Sequence, residues 1–265
     1  MIEQFLDSKT VQKHFSFILA VSIANVFIAK AAQWVYFPTA PITLVLFVTI
    51  LLLPSLHHLI VVEEKLERKG SANFLKKHKT VFYCYFGAFI GTLIGFAVIG
   101  ALSQSNLSFQ STQLLQEHLS TQTLLKFKQF NPTASHAFAL FSENLWYILA
   151  GFAFSIFYGA GAIVLITYNA SFFAAYLFEL SKLGLDFWTI SVSLTHLLPE
   201  SAGFILTAIA GATLSRALIV EKLKSTALSN VARNAFLLLL LGISLTFIAA
   251  FIETFITAAI YSRAL

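Results

Sequence analysis

Charge is what this sequence has least of. Only 11% of its 265 residues are charged, where a soluble domain carries about 25%. That shortage excludes an ordinary water-soluble domain, because the apolar residues, 58% of the chain, come in runs of about 20 rather than at a helical or alternating period. Lipid is the solvent for most of the chain, and the 28 phenylalanines agree with that. Cysteine is nearly absent as well. The single Cys84 excludes an intramolecular disulfide and a thiolate metal cluster, and inside an apolar run it reads as a small hydrophobe. No phosphate loop, serine–histidine pairing or thiol site is visible. A cleavable signal peptide is not expected, since the first apolar run is long and a second follows almost at once. The net charge of +5 does not point to nucleic acid, because the basic residues flank apolar runs, where membrane topology accounts for them.

Seven apolar segments are expected to span a bilayer: 15–37, 41–62, 80–102, 139–158, 161–180, 188–213 and 234–259. Only Tyr158-Gly159-Ala160-Gly161 separates the fourth from the fifth. Read as one span, about 38 residues would reach about 57 Å, nearly twice the hydrocarbon core. They must turn back, as a tight hairpin or a partly re-entrant pair. Charge placement supports the count. Segment 63–79 carries Lys65, Arg68, Lys69, Lys76, Lys77 and Lys79, so it should be cytoplasmic. Seven spans put Lys9, Lys13 and the cluster Arg216, Lys222, Lys224 and Arg233 on that same side, with the N-terminus in and the C-terminus out. The expected fold is an all-α polytopic bundle in the plasma membrane. It divides into a two-span hairpin (1–62) and a five-span domain (63–265) with an external segment, 103–136. In that segment Leu114, Leu115, Leu119, Leu124, Leu125 and Phe127 form an apolar stripe, which fits either an interfacial helix or a solvated linker.

Membrane helices associate through small residues that let backbones approach. Gly87, Gly91 and Gly95 recur every fourth residue on the third span; Gly151, Ser155 and Gly159 do so on the fourth, and Gly203, Thr207 and Gly211 on the sixth. Each stripe suits packing within one bundle or against a second copy, with the first as the default.

Ionisable groups inside spans are costly and mark function by default. The candidates are Lys30, His196, Glu200 and Glu253, with the amides Asn25, Asn144 and Asn169. Counted from the external ends, Glu253 lies roughly 9 Å deep, Lys30 roughly 10 Å, His196 roughly 12 Å, and Glu200 and Asn169 roughly 17–18 Å. Groups on different spans thus share depths in the outer half of the bilayer. His196, Glu200, Gly203, Thr207 and Gly211 fall on one stripe of the sixth span. Pro199 lies between the first two and frees the carbonyl of Thr195, so a helix break is expected there. A histidine, a carboxylate and a loose carbonyl suit a cation, a proton relay, or plain hydrogen bonding between helices. Lys30 is expected to snorkel to the interface rather than pair with Glu253.

With Glu253, the pair His196 and Glu200 makes a set of one histidine and two carboxylates, poor in nitrogen for zinc. A metal ion at His196, Glu200 and Glu253 stays open; no other cofactor is expected. Glu63-Glu64-x-x-x-Arg68 is similar to the motif of intramembrane CAAX-type proteases, but the later histidine motifs of those enzymes are missing and the stretch sits in a basic segment. It is set aside as a decoy. His57-His58 read as interfacial residues.

In its residue pattern, from about 54 to 258, the chain resembles the stage II sporulation protein M family, in particular its archaeal-type branch. The resemblance rests on Glu63-Glu64, His78 before a Gly-rich span, Phe-Ser-Glu-Asn-Leu (141–145), the stretch 157–162, and Tyr168-Asn169-Ala170. It continues through His196-x-x-Pro199-Glu200, Ala208-Ile209-Ala210-Gly211 and Phe251-Ile252-Glu253-x-Phe255-Ile256-Thr257. Leu197 and Ala258 stand where the family usually has glycine and proline. The resemblance implies a non-enzymatic integral membrane scaffold or assembly protein of the cell envelope, a homodimer, with unidentified envelope or membrane partners. The first alternative is a transporter or channel moving an ion or small solute through the outer-half site. The third is an intramembrane metal-dependent hydrolase, although the residues lean against an enzyme.

Overall fold

A computed structural model of the chain describes residues 15–68, 74–117, 132–157, 161–182 and 184–264. In lipid every backbone amide and carbonyl must find its partner inside the chain, so long apolar runs become helices. They are α1 (Phe15–Tyr36), α2 (Ile42–Arg68), α3 (Phe74–Leu102), α4 (Ser108–Glu117), α5 (Ala134–Phe157), α6 (Gly161–Lys182), α7 (Phe187–Ser191), α8 (Leu194–Val220), α9 (Thr226–Ile252) and α10 (Ala258–Ala264). A single 3-10 turn (Gln104–Leu107) precedes α4, and a π-helical turn (Glu253–Thr257) joins α9 to α10.

Among the described residues, seven segments are long and apolar enough to cross a membrane, at the places the apolar runs mark: Phe15–Tyr36, Ile42–Lys65, His78–Leu102, Ala134–Phe157, Gly161–Lys182, Phe187–Val220 and Thr226–Arg263. The fourth and fifth, at 24 and 22 residues, are each long enough to reach across the hydrocarbon layer, so neither is shortened into a re-entrant piece. Their connection, with Gly159, lies outside the described residues.

α8 is the central helix. It packs against α9, α5, α6, α2 and α3, and Gly203, Thr207, Ala208, Ala210, Gly211 and Ala212 are all buried along it. Its small residues let several neighbours come close at once. α1 lies at the edge, along α3 and α2. There the glycine stripe of α3 meets α1: a Cβ on Gly91 would stand 2.6 Å from the Leu19 carbonyl oxygen. Gly87 faces Phe15 and Gly95 faces Val26. The phenol of Tyr85, fully buried, donates to the Leu56 carbonyl at 2.9 Å and ties α3 to α2.

The basic segments 63–79 and 214–233 meet at one end of the bundle. Arg68 Nη1 lies 2.8 Å from Glu221 Oε1, and Asn230 Nδ2 donates to the Arg68 carbonyl at 3.2 Å. At the opposite end α4 docks on α6, with Gln110 Nε2 donating to Ser171 Oγ at 3.0 Å and the Tyr168 hydroxyl to Gln113 Oε1 at 3.1 Å. Leu114 is buried in that contact. The described part of segment 103–136 is therefore held to the bundle by polar bonds as well as by Leu114. Leu119, Leu124, Leu125 and Phe127 lie outside the described residues.

The sixth span is interrupted, though one turn before the expected place. Its helix pauses at Val192–Ser193, and α8 then runs through Pro199. Pro199 falls early in α8, where the one bond it forfeits, to the Thr195 carbonyl, belongs to the first turn of the helix and Thr195 is exposed. Asp186 caps α7, accepting from the Trp188 amide at 3.1 Å and from the Thr189 hydroxyl. These bonds, led by that of Thr189, hold its carboxyl below the usual carboxylate range.

Candidate intramembrane polar site

α8 presents His196 and Glu200 on successive turns of one face, and both are buried. Glu253 comes from the end of α9, at the first residue of the π-helical turn. One ligand atom from each of the three lies within 4.8 Å of the others. α9 itself sets Glu253 against α8. A π-helical turn inserts an extra residue into the helical repeat and rotates the side chains beyond it, and such turns concentrate at functional sites. Here it brings Thr257 to His196, where the hydroxyl and Nδ1 are 3.0 Å apart. One further turn along, the Tyr261 hydroxyl bonds Ser193 at the pause in the sixth span.

His196, Glu200 and Glu253 stand on the wall of a cavity of about 890 Å³. Gln113 and Leu114 of α4, Glu143, Asn144 and Tyr147 of α5, Tyr168, Asn169 and Tyr176 of α6, Phe204 of α8 and Glu253 all face it. Its size falls within the range of small-molecule sites, which are mostly apolar with a few convergent polar groups. Aromatic rings supply much of the wall, and Tyr176 meets the His196 ring edge-to-face with centroids 6.4 Å apart. Three carboxyl groups, Glu143, Glu200 and Glu253, share the space with two imidazoles, His136 and His196, so acidic groups outnumber basic ones and the cavity favours a cation.

His196, Glu200, Glu253, Asn169 and Asn144 thus line one space. Asn169 and Asn144 are half-buried. Lys30 donates to Gln33 Oε1 at 2.8 Å on its own helix. Of the glycines, Gly203 and Gly242 press α8 onto α9: a Cβ on Gly203 would stand 2.7 Å from the Gly242 carbonyl oxygen. Gly211 faces Ser155 and Phe152, and Gly151 faces Leu165. The sequence offers Glu143 and Thr257 only as motif residues, and reasoning from it overlooked Tyr176, Tyr261 and Gly242. A signal existed for some of them: Tyr176 lies two turns from Asn169 on one helical face, and Thr257 follows Glu253 by four residues.

Glu63 and His78 were read only as signature residues in a basic segment. They are buried and bonded to each other through Glu63 Oε1 and His78 Nδ1, with Glu67 beside them.

Fold and site together define the class, a multi-pass α-helical membrane protein with a polar cavity among its spans. A family model described as stage II sporulation protein M matches residues 85–258, and the chain belongs to that family. The match begins after Glu63, Glu64 and His78. No curated protein and no solved structure matches the chain.

Proposed function

We propose that this protein binds a small cationic solute in its cavity and moves it across the plasma membrane, with Glu200 and Glu253 as counter-charges and His196 as a proton or ligand partner. The observation that carries this reading is the convergence of His196, Glu200 and Glu253 on the wall of a mostly apolar, aromatic-rich cavity. A carboxylate pair in the membrane is expensive to keep without a use. Glue between helices would need only enough room for the bonding groups, whereas about 890 Å³ would hold a molecule of several heavy atoms beside them. Tyrosine and phenylalanine faces suit the organic part of such a cation. A pause in the sixth span and a π-helical turn in the seventh supply irregular backbone where it borders a cavity, as in helices that line transport sites.

The test is uptake into proteoliposomes of labelled choline, labelled putrescine or protons, comparing wild type with Glu253→Gln. Wild type should take up at least one probe above protein-free vesicles, and the variant should lose that uptake. Equal, background-level signals in both would sink the reading.

Family membership favours a second reading, a non-enzymatic scaffold that gathers envelope or membrane proteins. Its support is the resemblance of the family's namesake to an assembly protein. Partners that co-purify with wild type and with Glu253→Gln alike, together with no uptake, would favour the scaffold over the transporter.

A further inference from the structure

We infer that Glu63, Glu67 and His78 form a second, independent site, which takes a divalent first-row transition cation at the basic end of the bundle. Glu63 and Glu67 are four residues apart on α2 and so share a face; His78 comes from the first turns of α3. All three are buried, Glu63 and Glu67 with no exposed surface. One ligand atom from each lies within 4.8 Å of the other two. His78 Nδ1 bonds Glu63 Oε1 and lies 3.5 Å from Glu67 Oε1.

A histidine–carboxylate ion pair does not complete this arrangement. Glu63 Oε2 is buried and has no hydrogen-bond partner, and an unmet carboxylate oxygen is among the costliest groups to bury. The guanidinium groups close by are engaged with the neighbouring carboxylate: Arg68 bonds Glu64 and Glu221, and Arg216 Nε lies 3.7 Å from Glu64 Oε2. A divalent cation would give that open oxygen a partner.

The donor chemistry narrows the ion. One imidazole nitrogen with carboxylate oxygens suits manganese or iron(II), and, being poor in nitrogen, serves zinc less well. Magnesium prefers oxygen alone with several waters, and the absence of a thiolate from the trio argues against copper(I). Bound there, the ion would pin the end of α2 to the start of α3 beside the contacts that bring in segment 214–233. Its role is thus to fix the basic end of the bundle, separately from the cavity.

The experiment uses the full chain in detergent, stripped with chelator, in a His196→Gln/Glu253→Gln background that disables the other trio. Titration with Mn²⁺ or Zn²⁺ should give one equivalent per chain. Adding Glu63→Gln should weaken binding by more than about tenfold, the least that even an outer-shell change costs a metal site. Electron spin-echo spectra of bound Mn²⁺ should show coupling to one imidazole nitrogen in this background. That coupling should vanish in His78→Gln, a readout that does not depend on Glu63→Gln folding. No stoichiometric Mn²⁺ or Zn²⁺, a nitrogen signal that survives His78→Gln, or Mg²⁺ bound as tightly as Mn²⁺ would each overturn the site.

Discussion

At the scale of single residues, the cavity wall is set by hydroxyl groups as much as by the charged side chains. His196 has two ring nitrogens, and Thr257 engages Nδ1 at 3.0 Å, which directs the other nitrogen. Removing that hydroxyl without changing the side chain's shape leaves a buried ring nitrogen unmet, a cost of about 1–3 kcal/mol. Thr257→Val should therefore lower the thermal stability of the purified protein, while Thr257→Ser should restore it. If the two variants melt together, Thr257 does not hold the imidazole. Sequence reading reached His196, Glu200 and Glu253 because charge in an apolar run stands out. It gave Thr257 only as a motif residue and passed over Tyr261, because hydroxyls are common in spans and bond their own helix more often than another's side chain.

At the scale of elements, the site depends on how closely α8 and α9 approach. A Cβ on Gly203 would meet Thr246 Oγ1 at 2.6 Å and the Gly242 carbonyl oxygen at 2.7 Å. A backbone carbonyl cannot move aside cheaply, so Gly203→Ala should destabilise the protein by about 1–3 kcal/mol, as overpacking a tight contact does. Gly151→Ala provides the contrast. Its Cβ would meet only the end of the Leu165 side chain, at 3.1 Å, and Ala gains helix propensity over Gly. Thermal unfolding should place Gly203→Ala well below Gly151→Ala; the reverse order would refute close packing at that seam. The sequence showed Gly203 as part of a small-residue stripe, but a stripe has no address. Gly242 was overlooked because it stands alone among leucines.

At the scale of the whole molecule, the cavity lies among α5, α6 and the central helix, on which α5 packs, with α4 at one end. Little of the α5 span is buried, 17% against 67% for the span that contains α8, and its Glu143 and Asn144 face the cavity. A solute pathway requires water at Asn169. Asn169→Cys in a Cys84→Ala background should react with a membrane-impermeant maleimide in intact proteoliposomes, and choline or putrescine should slow that reaction if either occupies the cavity. Complete protection of the cysteine without any added solute would mean that the cavity is sealed.

The sequence by itself determined the lipid environment, the seven spans and the residues that had to be accounted for inside them. Those properties follow from local composition: about 20 apolar residues specify a crossing helix whatever surrounds them, and a carboxylate within one is costly wherever it faces. Tertiary structure decided which of these residues meet. The π-helical turn that begins at Glu253 and brings Thr257 to His196 cannot be read from spacing, because an α-helix through the same residues would aim the later side chains elsewhere. The same holds for Glu63 and His78, fifteen residues apart in sequence, which become neighbours only once α3 folds back along α2. His196, Glu200 and Glu253 were legible one at a time; their meeting around a cavity came from the packing of α8 against α9.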